Sequence, residues 1–166
     1  VTTRPAHRDW RWLHLECEYL TLPGSNLLAV RLRAHNLTSA EMRSPLGIAC
    51  WCQPGGEREK AVAIYQRGEQ VVTRRRSDYS VHVQATSWAA VQHYPTGTTL
   101  LLVSPAADSR VEVMDCGRQG AHLAAYAELR LKARESREML LWLALTRYGE
   151  RVAIYREALQ QITQLP

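Results

Sequence analysis

The chain predicts a mostly β protein, a two-layer antiparallel β-sandwich closed by one C-terminal α-helix, and three observations predict it. Apolar and polar residues alternate with period two through most of its 166 residues. Clusters rich in Gly and Pro interrupt that alternation about every ten residues, the spacing of short strands in a sandwich. The period changes to 3.6 only from Glu150 onward. An α/β fold needs helices between its strands, and none is predicted there.

Leu13, Leu15, Cys17 and Tyr19 alternate with His14, Glu16 and Glu18, which predicts a half-buried strand. Turn residues Pro23 to Asn26 follow, and Leu28, Val30, Leu32 and Ala34 then alternate with Arg31, Arg33 and His35, so the two segments read as a hairpin. Asn36 to Ser44 is a polar connection, and Leu46 to Cys52 resumes a strand before the Gln53-Pro-Gly-Gly56 turn. Ala61 to Gln66 and Gln70 to Arg74 flank Arg67-Gly-Glu69 as a second hairpin. Tyr79 to Gln84 and Trp88 to Tyr94 are strands, and Thr98 to Val103 turns continuously apolar, as a central strand covered on both faces does. After a loop around Pro105 come a short strand, Val111 to Asp115, and the best-patterned one, with Leu123, Ala125, Ala127, Leu129 and Leu131 on one face. Ala133 to Arg137 leads into Met139 to Leu145, and these last two strands read as a closing hairpin. From Glu150, Val152, Tyr155, Leu159 and Ile162 share one helical stripe, so residues 150–163 form an amphipathic helix that must bury that stripe against the sandwich or a neighbour.

The chain is read as a single domain spanning residues 1–166. It starts at Val1 without a leader, and is expected to be excised from a longer chain. It has no Phe but five Trp and seven Tyr, large rings whose polar edges need partners. Its formal charge is +5, from 21 basic and 16 acidic residues, and the basic residues are dispersed, with Arg74 to Arg76 the one dense run. Nucleic acid is therefore not an expected partner. No apolar run approaches the roughly 20 residues of a membrane-spanning helix, so no membrane partner is expected either. Sparse cysteines and the missing leader favour a cytoplasmic location. Cys50 and Cys52 flank Trp51 and share a strand face, but His35, His82, His93 and His122 are scattered, so no metal and no cofactor is expected.

The strand pattern resembles the galactose-mutarotase-like β-sandwiches, or supersandwiches, of carbohydrate-active proteins. Tyr19-Leu-Thr-Leu-Pro-Gly-Ser-Asn26 followed by Leu27 to Asn36 is similar to that family's paired strands ending in an Asn at a loop. Leu129 to Glu138 followed by Met139 to Leu145 is similar to its penultimate hairpin, with Ala133 and Arg134 where the family commonly has Pro and Gly. The helix from Glu150 resembles the linker joining such sandwiches to a following catalytic domain. The mutarotases' catalytic His and Glu motifs have no residue-for-residue match, so the resemblance implies no catalytic assignment.

Alternation places His82, His93 and His122 on polar strand faces, where with Glu112 and Glu128 they are candidate acid and base groups. Trp51, Trp88, His93 and Tyr94 are the candidate ligand-binding set, because sugar rings stack their apolar faces on aromatic planes. Asn36-Leu-Thr38 matches the glycosylation sequon, a pattern common by chance. The leading expectation is a non-catalytic module of a carbohydrate-active protein, supporting a neighbouring catalytic domain or a sugar-binding cleft, with carbohydrate as ligand. The alternatives are a small mutarotase-type enzyme and a protein-interaction sandwich docking through its helix.

Overall fold

The computed structural model describes residues 8–9, 11–21, 23–24, 26–75, 83–85, 87–105, 108–115 and 120–147. Twelve strands run through them: β1 (Arg8–Asp9), β2 (Leu13–Thr21), β3 (Leu27–Asn36), β4 (Met42–Cys52), β5 (Ala61–Arg67), β6 (Gln70–Arg75), β7 (Val83–Ala85), β8 (Trp88–His93), β9 (Thr98–Val103), β10 (Ser109–Asp115), β11 (Ala121–Leu131) and β12 (Ser136–Arg147). They form an eight-stranded sheet in the order β1-β2-β3-β12-β9-β8-β5-β6 and a four-stranded sheet in the order β4-β11-β10-β7. Every pairing is antiparallel. The expected two-layer sandwich is therefore present. The C-terminal helix over 150–163 lies outside the described residues, as do His82 and Cys116.

Period-two alternation assigns each side chain to a layer. Val30, Leu32, Ala34, Ala89, Val91, Leu102 and Leu141 of the large sheet meet Leu46, Val111, Leu123, Ala125, Leu129 and Leu131 of the small one in a single intersheet core. Cys17, Cys50 and Cys52 also point into this space, each partly buried against the core. Burial raises the Cys50 thiol pKa, and its Sγ lies 3.4 Å from the Leu123 carbonyl. The shared face of Cys50 and Cys52 is thus an interior one, which turns Trp51 outward.

The expected hairpins β2–β3 and β5–β6 are formed, with Leu13 opposite Asn36 and Arg67 opposite Gln70. The expected closing hairpin is not. β11 pairs with β4 and β10, whereas β12 pairs with β3 and β9, so the turn at Lys132 to Glu135 carries the chain from one sheet to the other. Arg134 takes φ +62° in this turn, a conformation usual for Gly. Both strands have long apolar faces that need the same interior, and placing one in each layer buries both. Asn36, fully buried, fastens this corner: its Nδ2 donates to the carbonyls of Ala40, Leu131 and Lys132, at 2.7, 3.2 and 2.9 Å. Its Oδ1 accepts from Thr38 N and Oγ1, at 2.9 and 2.8 Å.

Candidate functional site

The outer face of the small sheet collects more of the candidate side chains than any other described surface. Register places them in rows across β4, β11 and β10. Trp51 lies opposite His122, and His122 opposite Met114. The next row is Ala49, Ala124 and Glu112, followed by Gly47, Tyr126 and Arg110, and then by Pro45 and Glu128. Rows on one face are about 6.7 Å apart and strands about 4.8 Å apart, so the four rows span about 20 by 10 Å.

Trp51 is 56% exposed although tryptophan is costly to leave in water. Its ring is tilted 42° from the His122 imidazole, with centroids 5.0 Å apart. Beside them the surface drops to Ala49, Ala124 and Gly47, which leaves the ring standing over a low floor. Gly47 is obligatory here: a Cβ at that position would overlap the Ala125 carbonyl and the Tyr126 backbone. Tyr126 Oη donates a hydrogen bond to Glu112 Oε1, and this bond, with burial, raises the tyrosine pKa, opposed by Arg110. The face therefore offers one apolar ring, one imidazole and a phenol held by a carboxylate, all outside the core.

Of the sequence candidates, Trp51, His122, Glu112 and Glu128 share this face, and Trp88, His93 and Tyr94 do not. His82 is outside the described residues. Trp88 lies on the large sheet and is 1% exposed, packed into a second apolar cluster. His93, expected on a polar face, is 3% exposed, because alternation puts it on the side of Ala89 and Val91. Gly55, at φ +75°, lies so close over the His93 ring that any Cβ there would overlap it. His93 Nδ1 bonds Thr96 Oγ1 at 2.8 Å, and Nε2 is 3.8 Å from Glu57 Oε1. This histidine anchors the loops at one end of the sandwich. Glu57 in turn pairs with Lys60 at 2.6 Å, which lowers the carboxyl pKa. Tyr94 is exposed in the turn after β8, a strand of the large sheet. Gly47, Tyr126, Arg110 and Met114 join the site unforeseen, since their signal is the register of β4 and β10 against β11.

A second polar surface lies on the outer face of the large sheet. Arg33 bridges Glu16 and Glu138 at 3.2 and 3.1 Å, and Arg31 bridges Glu18 and Glu138 at 2.9 and 3.3 Å. Glu16, Glu18, Arg31 and Arg33 line a pocket of about 230 Å³. The charges there are already matched to one another, which leaves little to recognise a charged ligand. Among the described residues no three His, Cys, Asp or Glu side chains group as metal ligands. No helix among them is long and apolar enough to cross a membrane.

No protein-family model matches the chain, and no curated protein matches it in sequence. Solved structures do match in shape. A Klebsiella pneumoniae subsp. pneumoniae MGH 78578 protein, provisionally assigned as an aldose 1-epimerase, superposes with TM-score 0.67 at 10% identity, over 94% of this chain and 53% of its own. The Slr1438 protein from Synechocystis sp. PCC 6803 gives 0.62 at 11% identity, over 89% and 60%. A galactose mutarotase-like protein from Lactobacillus casei ATCC 334 gives 0.57 at 12%, over 85% and 68%. The chain thus spans less than two thirds of the first two. At these identities the likeness concerns architecture alone, and that architecture is the galactose-mutarotase-like β-sandwich.

Proposed function

We propose that this domain is a non-catalytic module that binds a saccharide on the outer face of the four-stranded sheet and supports a neighbouring domain. The observation that carries this reading is the exposed Trp51 ring beside His122, above a floor of Ala49, Ala124 and Gly47. A pyranose presents an apolar C–H face to such a ring while its hydroxyls need polar partners. Glu112, Tyr126 and Glu128 stand on the same face to provide them. The fold shared with mutarotase-like proteins supports the same class of ligand, although fold does not imply function.

Calorimetric titration with a panel of mono- and oligosaccharides tests the reading. Binding by the native chain and its loss in Trp51→Ala are expected, with Tyr94→Ala as a variant that binds normally. A panel that yields no heat, or a Trp51→Ala protein that binds as before, removes the proposal.

One observation favours a second reading, a small mutarotase-type enzyme: His122 and Glu112 occupy one face of adjacent strands, on neighbouring rows. In that reaction the Glu112 carboxylate takes the proton of the anomeric hydroxyl, an imidazolium at His122 protonates the ring oxygen, and the bond from the anomeric carbon to that oxygen breaks. Reclosure on the other face reverses both transfers. Polarimetry on freshly dissolved aldoses distinguishes the readings, since only the enzyme accelerates the drift and loses that acceleration in His122→Ala.

A further inference from the structure

The rows on the outer face of the small sheet continue past Glu128 to a pair of like charges. Register sets Arg43 of β4 directly opposite Arg130 of β11, and Lys132 follows β11. All three side chains are exposed. β10 begins at Ser109, opposite Ala127, so among the described residues this end of the sheet is only two strands wide. Like charges set directly opposite across an antiparallel pair destabilise it, because their Cβ atoms are about 5 Å apart. Neither arginine has an ion pair with a carboxylate among the described residues: Glu128, one row nearer Trp51, and Glu41, just before β4, bond neither of them. The large sheet treats its arginines differently, since Arg31 and Arg33 each bridge two glutamates. Arg43 and Arg130 are thus a repulsive pair with unmatched donors, on the same face as Trp51.

We propose that the saccharide taken up on this face is acidic: an oligosaccharide lying along β4 and β11, one ring stacked on Trp51 and a uronic carboxylate between Arg43 and Arg130. The inference rests on the saccharide reading of the Trp51 face. Charge complementarity selects the ligand. A guanidinium fork takes a carboxylate through two parallel N–H donors, and such charge-assisted bonds are about twice as strong as neutral ones. A carboxylate seated there also relieves the repulsion that the β4–β11 register imposes, so the pair favours the bound state over the free one. Arg43 and Trp51 are about 27 Å apart along β4. A single sugar cannot touch both ends, so the ligand is a chain of several units. Glu112 and Glu128 stand between those ends and would repel a second carboxylate, which places the acidic unit at the arginine end and hydroxyl-bearing units above Ala49, Ala124 and Gly47.

Titration calorimetry on the full chain tests this with two probes, xylo-oligosaccharides carrying a glucuronic acid unit and oligogalacturonates, each beside its carboxyl-reduced counterpart. In at least one pair the acid is expected to bind at least tenfold more tightly than the reduced form, and Trp51→Ala to weaken both forms. The preference is expected to vanish in Arg43→Gln/Arg130→Gln. It is kept in Arg67→Gln/Arg75→Gln, which removes the same charge from exposed positions on β5 and β6 of the large sheet. The Arg43→Gln/Arg130→Gln protein is also expected to unfold at no lower a denaturant concentration than the native chain, since a repulsion is removed; a lower midpoint would give the two arginines a structural role and overturn the inference. Equal affinity for acid and reduced forms overturns the acidic ligand and leaves the saccharide reading standing, whereas binding of neither form removes both. Competition by poly-glutamate or a sulfated galactan as strong as by the acidic probe would make the surface a general polyanion patch, and overturns the inference too.

Discussion

Replacing Asn36 tests the corner on which both sheets depend. Its amide orientation is not ambiguous, because Thr38 N can only donate and so must face Oδ1, which directs Nδ2 at the three carbonyls. Two amide hydrogens serve Ala40 and Lys132, with Leu131 sharing at the longer 3.2 Å, and two bonds arrive from Thr38. At about 1 kcal/mol net for each of these four bonds, Asn36→Ala costs about 4 kcal/mol, a large part of the stability of a domain this size. With a urea slope of about 2 kcal/mol/M, the unfolding midpoint followed by circular dichroism falls by about 2 M. Asn36→Asp keeps the acceptor but turns a carboxylate toward three carbonyl oxygens, so at pH 7 it is expected to be worse than Asn36→Ala. Its buried acid has a folded-state pKa above the unfolded value, because only the protonated form can donate to a carbonyl. The variant is therefore most stable below the unfolded carboxyl pKa of about 4 and loses stability as pH rises through the folded one. An Asn36→Asp protein as stable as the native chain at pH 7, or more stable than Asn36→Ala, would refute this account of the corner.

Two further changes probe the outer face of the four-stranded sheet. Gly47→Ala forces the β4 and β11 backbones apart beneath Tyr126, and is expected to lose about 1–3 kcal/mol in denaturant unfolding together with saccharide affinity; an unchanged midpoint would show that the approach is not tight. Tyr126→Phe removes a phenol whose pKa Glu112 raises, so ultraviolet titration of the native chain contains a late-ionising tyrosine that the variant lacks. The stability from that bond is present below the ordinary tyrosine pKa of about 10 and is lost as pH rises through the folded value, and equal alkaline unfolding curves for the two proteins would deny it.

The class of fold was legible because its signals are local. Alternation in Leu13 to Tyr19 and Leu28 to Ala34, with Pro23 and Gly24 between, is enough to specify the β2–β3 hairpin. The turn at Lys132 to Glu135 looks equally local and misleads, because nothing in those residues shows that β12 pairs with β3, about a hundred positions earlier. The same limit hid the site. Trp51 and His122 meet only through the β4–β11 register, and Glu112 finds Tyr126 only once β10 aligns. His93 was misplaced for a different reason: its strand pattern is ambiguous at the last residue, and Gly55 of another loop closes over it.

Burial of Asn36 also decides what can happen to its sequon. An oligosaccharide attached there would replace one of the Nδ2 hydrogens that the Ala40 and Lys132 carbonyls accept, in a space with no access to solvent. Folding and glycan attachment at this residue are mutually exclusive. Expression through a glycosylating secretory route would split the product into an unmodified native fraction and a modified one unable to close the junction between its layers.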